Sequence, residues 1–440
     1  MKKYESYKDS GIEWLGKIPN HWTAISMKFY FYMKGRIGWQ GLKADEFISD
    51  GPYLVTGTDF DNGRVDWSRC YHISEERYAE APEIHVKEGD LLITKDGTVG
   101  KLAYVDHIPG KVSLNSHLLI LRPLTESVSN HFMYWALQAD NFVHYTGLAQ
   151  SGSIMASLSQ EKIGNYKLAL PSISEQRIIA SYLDNRVSRI DTVIAEKEKM
   201  IEDLQSYRKS VISETVTRGL NPNVPMKDSG IEWIGMIPKQ WDVSKLKTFA
   251  EVQTGSTPST SVDRYWENPT EEWYTPSDFD DNDIRLKPSS RKLATIAFRE
   301  DACRVFDANT VLIVGIGATL GKVGISAKPC SANQQINAVS FREKVLPMFG
   351  AYYLYAIKDA MKAAANAATL AIMNQSTTKD LPFVCPPYEE QRSIVKSIDI
   401  KTSKIANGIF DLQSQIEDLK SYKSSLITEA VTGKIDLRNE

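Results

Sequence analysis

Gly315-Ile-Gly317-Ala-Thr-Leu-Gly321-Lys322 is the stretch of this 440-residue chain that comes nearest to a chemical motif. Glycines ahead of a lysine are how a phosphate loop cradles anionic oxygens. That chemistry also needs a glycine at the start of the loop and a hydroxyl directly after the lysine. Ile316 and Val323 stand at those two places, and the related stretch beginning at Lys95 offers Lys95 and Leu102 instead. A dinucleotide fingerprint fails too, because Leu320 takes the third glycine. Nucleotide binding is not expected.

Cys385-Pro386-Pro387-Tyr388 is similar to the Asn-Pro-Pro-Tyr motif of DNA amino-methyltransferases, in which an asparagine oxygen accepts from the target amino group. Cysteine is a poor acceptor, and the aligned Leu170-Pro171-Ser172-Ile173 has none. The prolines read better as the break before a helix. Four cysteines (Cys70, Cys303, Cys330, Cys385) are too far apart for a CxxC pair and are expected to be reduced and buried. All seven histidines lie between His21 and His144 without ligand spacing, so no metal site is expected. No carboxylate–lysine cluster or Ser-His-Asp order emerges, and the chain does not read as an enzyme.

Composition is that of a globular protein: 42% apolar, 24% charged, formal net charge −3. No apolar run approaches the roughly 20 residues that span a bilayer, and Met1 to Lys8 lacks a signal-peptide core. A cytoplasmic location without membrane contact is expected. Bulk charge does not announce a nucleic-acid binder, although such binding depends on a local basic face.

The informative feature is repetition. Residues 7–22, YKDSGIEWLGKIPNHW, match residues 226–241, MKDSGIEWIGMIPKQW, at eleven of sixteen positions. Pro171-Ser-Ile-Ser-Glu175-Gln176-Arg177 matches Pro386-Pro-Tyr-Glu-Glu390-Gln391-Arg392. Both then enter long helical patterns. Leu183, Val187, Ile190, Ile194, Ile201, Leu204 and Val211 keep a four–three spacing, with Lys197 and Arg208 in the gaps. Ile398, Thr402, Ile405, Ile409, Leu412, Ile416, Leu419, Lys423 and Leu426 do the same in the second copy. That is an a/d seam. Ser172 and Glu175 predict a capping box at the first helix start. Helices of about 40 residues would be on the order of 60 Å long, and two matched helices in one chain predict an antiparallel pair.

Between the shared blocks, roughly 23–170 and 242–385, the frame aligns while most side chains differ. Thr58-Asp59-Phe60-Asp61 lines up with Ser277-Asp278-Phe279-Asp280. Gly89 through Lys101 lines up with Asn309 through Lys322: a turn, a short buried strand and a Gly-rich turn, with a further strand beyond (118–121; 338–341). Helical pieces are expected at 131–139 and 350–365. The fold class is α+β, with two mixed α/β domains (1–170, 226–385), each followed by a long helix (171–225, 386–440).

The repeated GIEW(L/I)G opening, the Gly-Asp-Leu-Leu-Ile segment leading to Gly-x-x-Gly-Lys, and the Glu-Gln-Arg block before each helix together resemble the specificity subunit of type I restriction-modification systems. The resemblance implies two target recognition domains in pseudo-twofold arrangement, each reading half of a bipartite, asymmetric site in double-stranded DNA. It implies helices that set the gap between half-sites. It also implies docking of two modification subunits, adenine-N6 methyltransferases, and of ATP-dependent restriction subunits. S-adenosylmethionine, ATP and Mg²⁺ would belong to those partners, and this chain would carry no cofactor of its own. The competing class is a coiled-coil adaptor that binds protein but not DNA.

Base edges are read by Arg or Lys at guanine and Asn or Gln at adenine, carried on loops over a rigid scaffold. In the first half the candidates are Arg36, Trp39, Gln40, Lys95, Thr98, Lys101, Asn115, Ser116 and His117. In the second they are Thr254, Ser256, Thr257, Thr319, Lys322, Asn333, Gln334 and Gln335. The aligned Lys101 and Lys322 suit phosphate better than bases. Trp14, Trp22, Trp233 and Trp241 read as packing residues.

Overall fold

The structure is a computed structural model describing residues 2–36, 42–147, 158–366 and 372–439. Two compact units divide it: residues 1–197 with 414–440, and residues 198–413. Each unit therefore takes one part of each long helix.

The first unit is built on a four-stranded antiparallel sheet in the order Leu102–Tyr104, Leu91–Thr94, Leu118–Pro123, Phe31–Lys34. Leu91–Thr94 is buried along its whole length, as its unbroken apolar run requires of a central strand. Beside this sheet lies a three-stranded one, in which Val112–Leu114 runs parallel to Ile48–Val55, itself antiparallel to Tyr71–His72. The second unit repeats the plan. Its sheets run Ala250–Thr254, Ile336–Phe341, Val311–Val314, Val323–Ile325 and Lys292–Leu293, Glu271–Tyr274, Cys330–Ala332, with the last pair parallel. Thr23–Ser26 pairs with Lys167–Leu170, and Asp242–Lys245 with Pro382–Cys385, so each domain closes where it opens. The expected helical pieces appear as Asn130–Ala136 with Asp140–Thr146, and as Pro347–Ala356 with Lys358–Asn366.

The long helices span Ile173–Arg218, 46 residues, and Tyr388–Val431, 44 residues, about 65 to 70 Å each at 1.5 Å per residue. Every seam position is buried or half-buried. In the first unit Asp191 pairs with Lys423 at 2.6 Å, and Lys197 donates to Gln415 at 2.6 Å. Rising numbers meet falling ones, so the helices are antiparallel there. In the second unit a Cβ on Gly408 would lie 3.8 Å from Leu204. The capping box is only half formed. Ser172 Oγ accepts from Glu175 N at 3.4 Å, but the Glu175 carboxylate is occupied by the Tyr4 hydroxyl at 2.7 Å and His21 Nε2 at 2.9 Å. A buried carboxylate takes these partners in preference to a backbone N–H that the first turn leaves near water.

The helix ends explain the repeated Pro-x-x-Trp. Gly433, at φ 72°, follows the second helix, and a Cβ there would come within 2.4 Å of Pro19 and 3.2 Å of Trp22. Gly219, at φ 76°, follows the first helix and stands equally close to Trp241. Only glycine satisfies both the left-handed backbone and the approach. Trp22 and Trp241 are fully buried, whereas Trp14 and Trp233 are 42% and 45% exposed.

All four cysteines are free and buried. Burial pushes the Cys330 and Cys385 thiols up to about 11. Among the described residues no helix is long and apolar enough to cross a membrane, and no cluster of His, Cys, Asp and Glu could hold a metal ion.

Candidate nucleic-acid interface

Three loops meet at one end of each unit, and the same bonds tie them. The first is the turn after the middle strand of each three-stranded sheet, Ile48–Val55 or Glu271–Tyr274. Asp59 Oδ2 accepts from Thr56 N at 2.7 Å and Thr56 Oγ1 at 3.0 Å. Asp278 Oδ2 accepts from Thr275 N at 2.7 Å and Thr275 Oγ1 at 2.9 Å. Burial tends to raise the Asp278 carboxyl, but hydrogen bonds from Ser290 and Thr275 outweigh it and hold the group below the usual carboxylate range.

The second loop is the Gly-rich turn. Gly97 and Gly100 have φ of 74° and 86°, and Gly317 and Gly321 both have 81°. Thr94 N donates to Lys101 O and Gly100 N to Thr94 O, each at 2.9 Å. Val314 N to Lys322 O at 2.9 Å and Gly321 N to Val314 O at 2.8 Å are their counterparts. The turn joins two antiparallel strands and no helix follows it, so the helix N-terminus that a phosphate loop depends on is missing.

Asn115–His117 and Asn333–Gln335 form the third loop. Asn115 Oδ1 accepts from His117 N at 3.2 Å, and Asn333 Oδ1 from Gln335 N at 3.1 Å. Lys95 N donates to His117 O and Gly315 N to Gln335 O, both at 2.8 Å, which binds this turn to the Gly-rich one. In the second unit the segment after Ala250–Thr254 joins them. Ser256 N donates to Ala332 O at 2.8 Å, and Thr257 Oγ1 to Gln334 Oε1 at 2.6 Å. Gly255 permits the approach, since a Cβ there would lie 2.3 Å from Ala332 O.

Lys95, Thr98, Lys101, Asn115, Ser116 and His117 therefore come together, as do Thr254, Ser256, Thr257, Thr319, Lys322, Asn333, Gln334 and Gln335. Thr98, Lys101, His117, Thr257, Gln334 and Gln335 are exposed. Thr254 is turned to Asn337 Oδ1 at 2.8 Å. Trp39 and Gln40 lie outside the described residues. Two cations sit differently from the expectation. Arg36 is 2% exposed and donates to Leu114 O at 2.8 Å and Ser113 Oγ at 2.9 Å. Burial, with Arg77 nearby, lowers its guanidinium from the ordinary value. Lys322 donates to Phe279 O at 3.1 Å and pairs with Asp281 at 3.2 Å, while the aligned Lys101 is exposed. Arg36 and Lys322 thus tie their loops to the main chain at Leu114 O and Phe279 O.

Two residues of the repeated Glu-Gln-Arg blocks and two aspartates further along the helices fasten these domains to the helices. Gln176 is fully buried; its Oε1 accepts from Ser129 N at 2.8 Å and its Nε2 donates to Ser127 O and Pro171 O. Gln391 does the same for Leu346 N, Lys344 O and Pro386 O. Asp184 accepts from Trp135 Nε1 at 3.0 Å, and Asp399 from Arg285 Nη2 at 2.7 Å and the Tyr352 hydroxyl. Burial, and then Asp399, push the Tyr352 phenol up to about 12. Each pair lies at the spacing of the Glu-Gln-Arg blocks, which is the signal that marks them.

Two α+β domains of one plan, each anchored to a shared helix pair and carrying polar loops over a fixed frame, define a recognition subunit rather than a catalyst. The model of the type I restriction modification DNA specificity domain matches residues 40–203 and 238–417, and the chain belongs to that family. It is a non-catalytic specificity subunit of the type I restriction-modification kind. It is 23% identical to the MjaX type I specificity subunit of Methanocaldococcus jannaschii, across 99% of this chain and 98% of that one. It is 21% identical to the EcoBI specificity subunit of Escherichia coli, across 97% and 89%. Its fold is similar to that of a solved chain described for complex assembly and conformational transition of a type I R-M system, with TM-score 0.73, 17% identity and coverage of 95% and 99%.

Proposed function

We propose that each recognition domain, taken as 1–170 and 226–385, reads one half of a bipartite DNA sequence through its three converging loops. The helices, 171–225 and 386–440, set the number of unread base pairs between the halves and dock two methyltransferase subunits. Those partners supply S-adenosylmethionine chemistry, and restriction subunits supply ATP-driven cleavage. The observation that carries this reading is the duplicated loop frame with different exposed side chains on it: one scaffold, two sets of contacts. DNA is locally twofold, so paired modules suit two half-sites, and modules that differ suit an asymmetric target.

Domain exchange tests it. Replacing residues 23–170 by another recognition domain, in the chain assembled with its modification subunits, is expected to change one half of the methylated sequence and leave the other. A change in both halves defeats the modular reading. Deletion of the chain with no change in the host methylome favours the adaptor instead.

A further inference from the structure

The tip of the third loop has a polarity that can be deduced. Asn333 Oδ1 accepts the backbone N–H of Gln335 at 3.1 Å. A backbone N–H can only donate, so the oxygen of the Asn333 amide is identified and its nitrogen must be the other atom. That nitrogen lies 3.1 Å from Gln335 Oε1. Because it donates, the atom it meets must be an oxygen. Gln335 is thereby oriented as well: Oε1 faces the turn, and Nε2 carries its two N–H groups away from it. The turn itself is held, with Gln335 O accepting from Gly315 N at 2.8 Å and Ile336 fully buried next door. Gln335 is exposed.

The first unit builds the same turn and places His117 at the tip, with a ring 62% exposed. One backbone frame with one asparagine brace ends in two different side chains. That is where two domains of one chain can differ in what they read.

Resting on the DNA-reading function above, we propose that Gln335 is a specificity-determining residue of the second domain and that it selects a base edge made of acceptors. In the major groove guanine offers N7 and O6 side by side, whereas adenine N6 and cytosine N4 present amino donors. A glutamine free to turn pairs with adenine by using its oxygen as acceptor. Gln335 has that oxygen directed at the turn, where Asn333 donates to one of its two lone pairs. The group it presents outward is therefore the NH₂, which suits the paired acceptors of guanine better than the single O4 of thymine and meets amino groups donor against donor. The second half-site therefore carries a guanine at the position Gln335 reaches.

The test is Gln335→Glu in the full chain co-produced with its modification subunits, read by sequencing of the methylated sites. Glutamate replaces the outward donors with acceptors. The expected result is a switch at a single position of one half-site, from guanine to a base with an amino group. Methylation of the original sequence should fall about tenfold or more. The other half-site stays as it was, which also shows that the variant folds and assembles. An unchanged target overturns the proposal, and so does an equal decline on all sequences, the signature of a phosphate contact. A wild-type complex with no bipartite target removes the underlying reading, and this inference with it. A bipartite wild-type target that Gln335→Glu leaves unaltered removes this inference alone.

Discussion

Replacing Gln391 by alanine tests whether a single buried amide fastens the second domain to its helix. The side chain is fully buried and makes three bonds to main chain: Leu346 N at 2.8 Å, Pro386 O at 2.8 Å and Lys344 O at 3.1 Å. Lys344 is exposed, so its carbonyl finds water at little cost. Pro386 O is buried and Leu346 N partly so, and leaving each unpaired costs about 1 to 3 kcal/mol before the lost packing is added. With the partial exposure of Leu346 discounted, the expected loss is about 2 to 4 kcal/mol, confined to the second unit. Hydrogen exchange in the assembled chain reads this locally. The Leu346 amide and the first turn of Tyr388–Val431 are expected to exchange roughly 30- to 700-fold faster, at 1.4 kcal/mol per tenfold. The first unit, held by Gln176, should be unaffected. Gln391→Glu separates donor from acceptor, since a carboxylate still accepts from Leu346 N but repels Pro386 O. It is expected to weaken the second unit as well. A loss under about 0.5 kcal/mol, or equal acceleration in both units, refutes the bracket.

Inserting one heptad into both long helices, at matched points between Ile201 and Leu204 and between Ile409 and Leu412, lengthens the pair by about 10 Å. That corresponds to about three base pairs at 3.4 Å each. Methylome sequencing should show a longer spacer with the same half-sites, and an unchanged spacer would show that the helices are not the ruler. Asp278 titrates below its ordinary value of 3.8 in the folded chain. Its contribution to stability is therefore complete above that value and disappears as pH falls through the lower folded value. Asp278→Asn should melt below wild type at neutral pH and converge with it in acid; a gap that persists at the lowest pH would mean that the ionised form is not what the turn requires.

Much of the fold was legible because it was written twice. The seam from Leu183 to Val211 and from Ile398 to Leu426 appears at the expected spacing, since a helix whose apolar residues recur every three to four positions has one face to bury. The Gly-rich turns follow buried strands as expected, because the left-handed positions at Gly97, Gly100, Gly317 and Gly321 leave little choice of residue. The short strands directly after them, Leu102–Tyr104 and Val323–Ile325, were not expected. What Arg36, Lys322 and Glu175 do was not legible. Each is a charged residue next to a loop or a helix start, and spacing alone cannot say whether its partner is water or a carbonyl far away in sequence. Arg36 reaches Leu114, and Glu175 reaches Tyr4. Gln176 and Gln391 belong to the repeated Glu-Gln-Arg block, but their use as brackets depends on Ser127, Ser129, Lys344 and Leu346, which no local pattern connects to them.

Repetition and periodicity belong to the sequence by itself, and they determined the two-domain plan and the helix pair. These are local properties: a heptad or a Gly-x-x-Gly-Lys turn needs only its neighbours to be recognised. The anchoring of Arg36 at Leu114 O and of Lys322 at Phe279 O was decided only by tertiary structure. A side chain's donors and acceptors are assigned by whatever the folded chain brings within about 3 Å of them, and those partners lie tens of residues away.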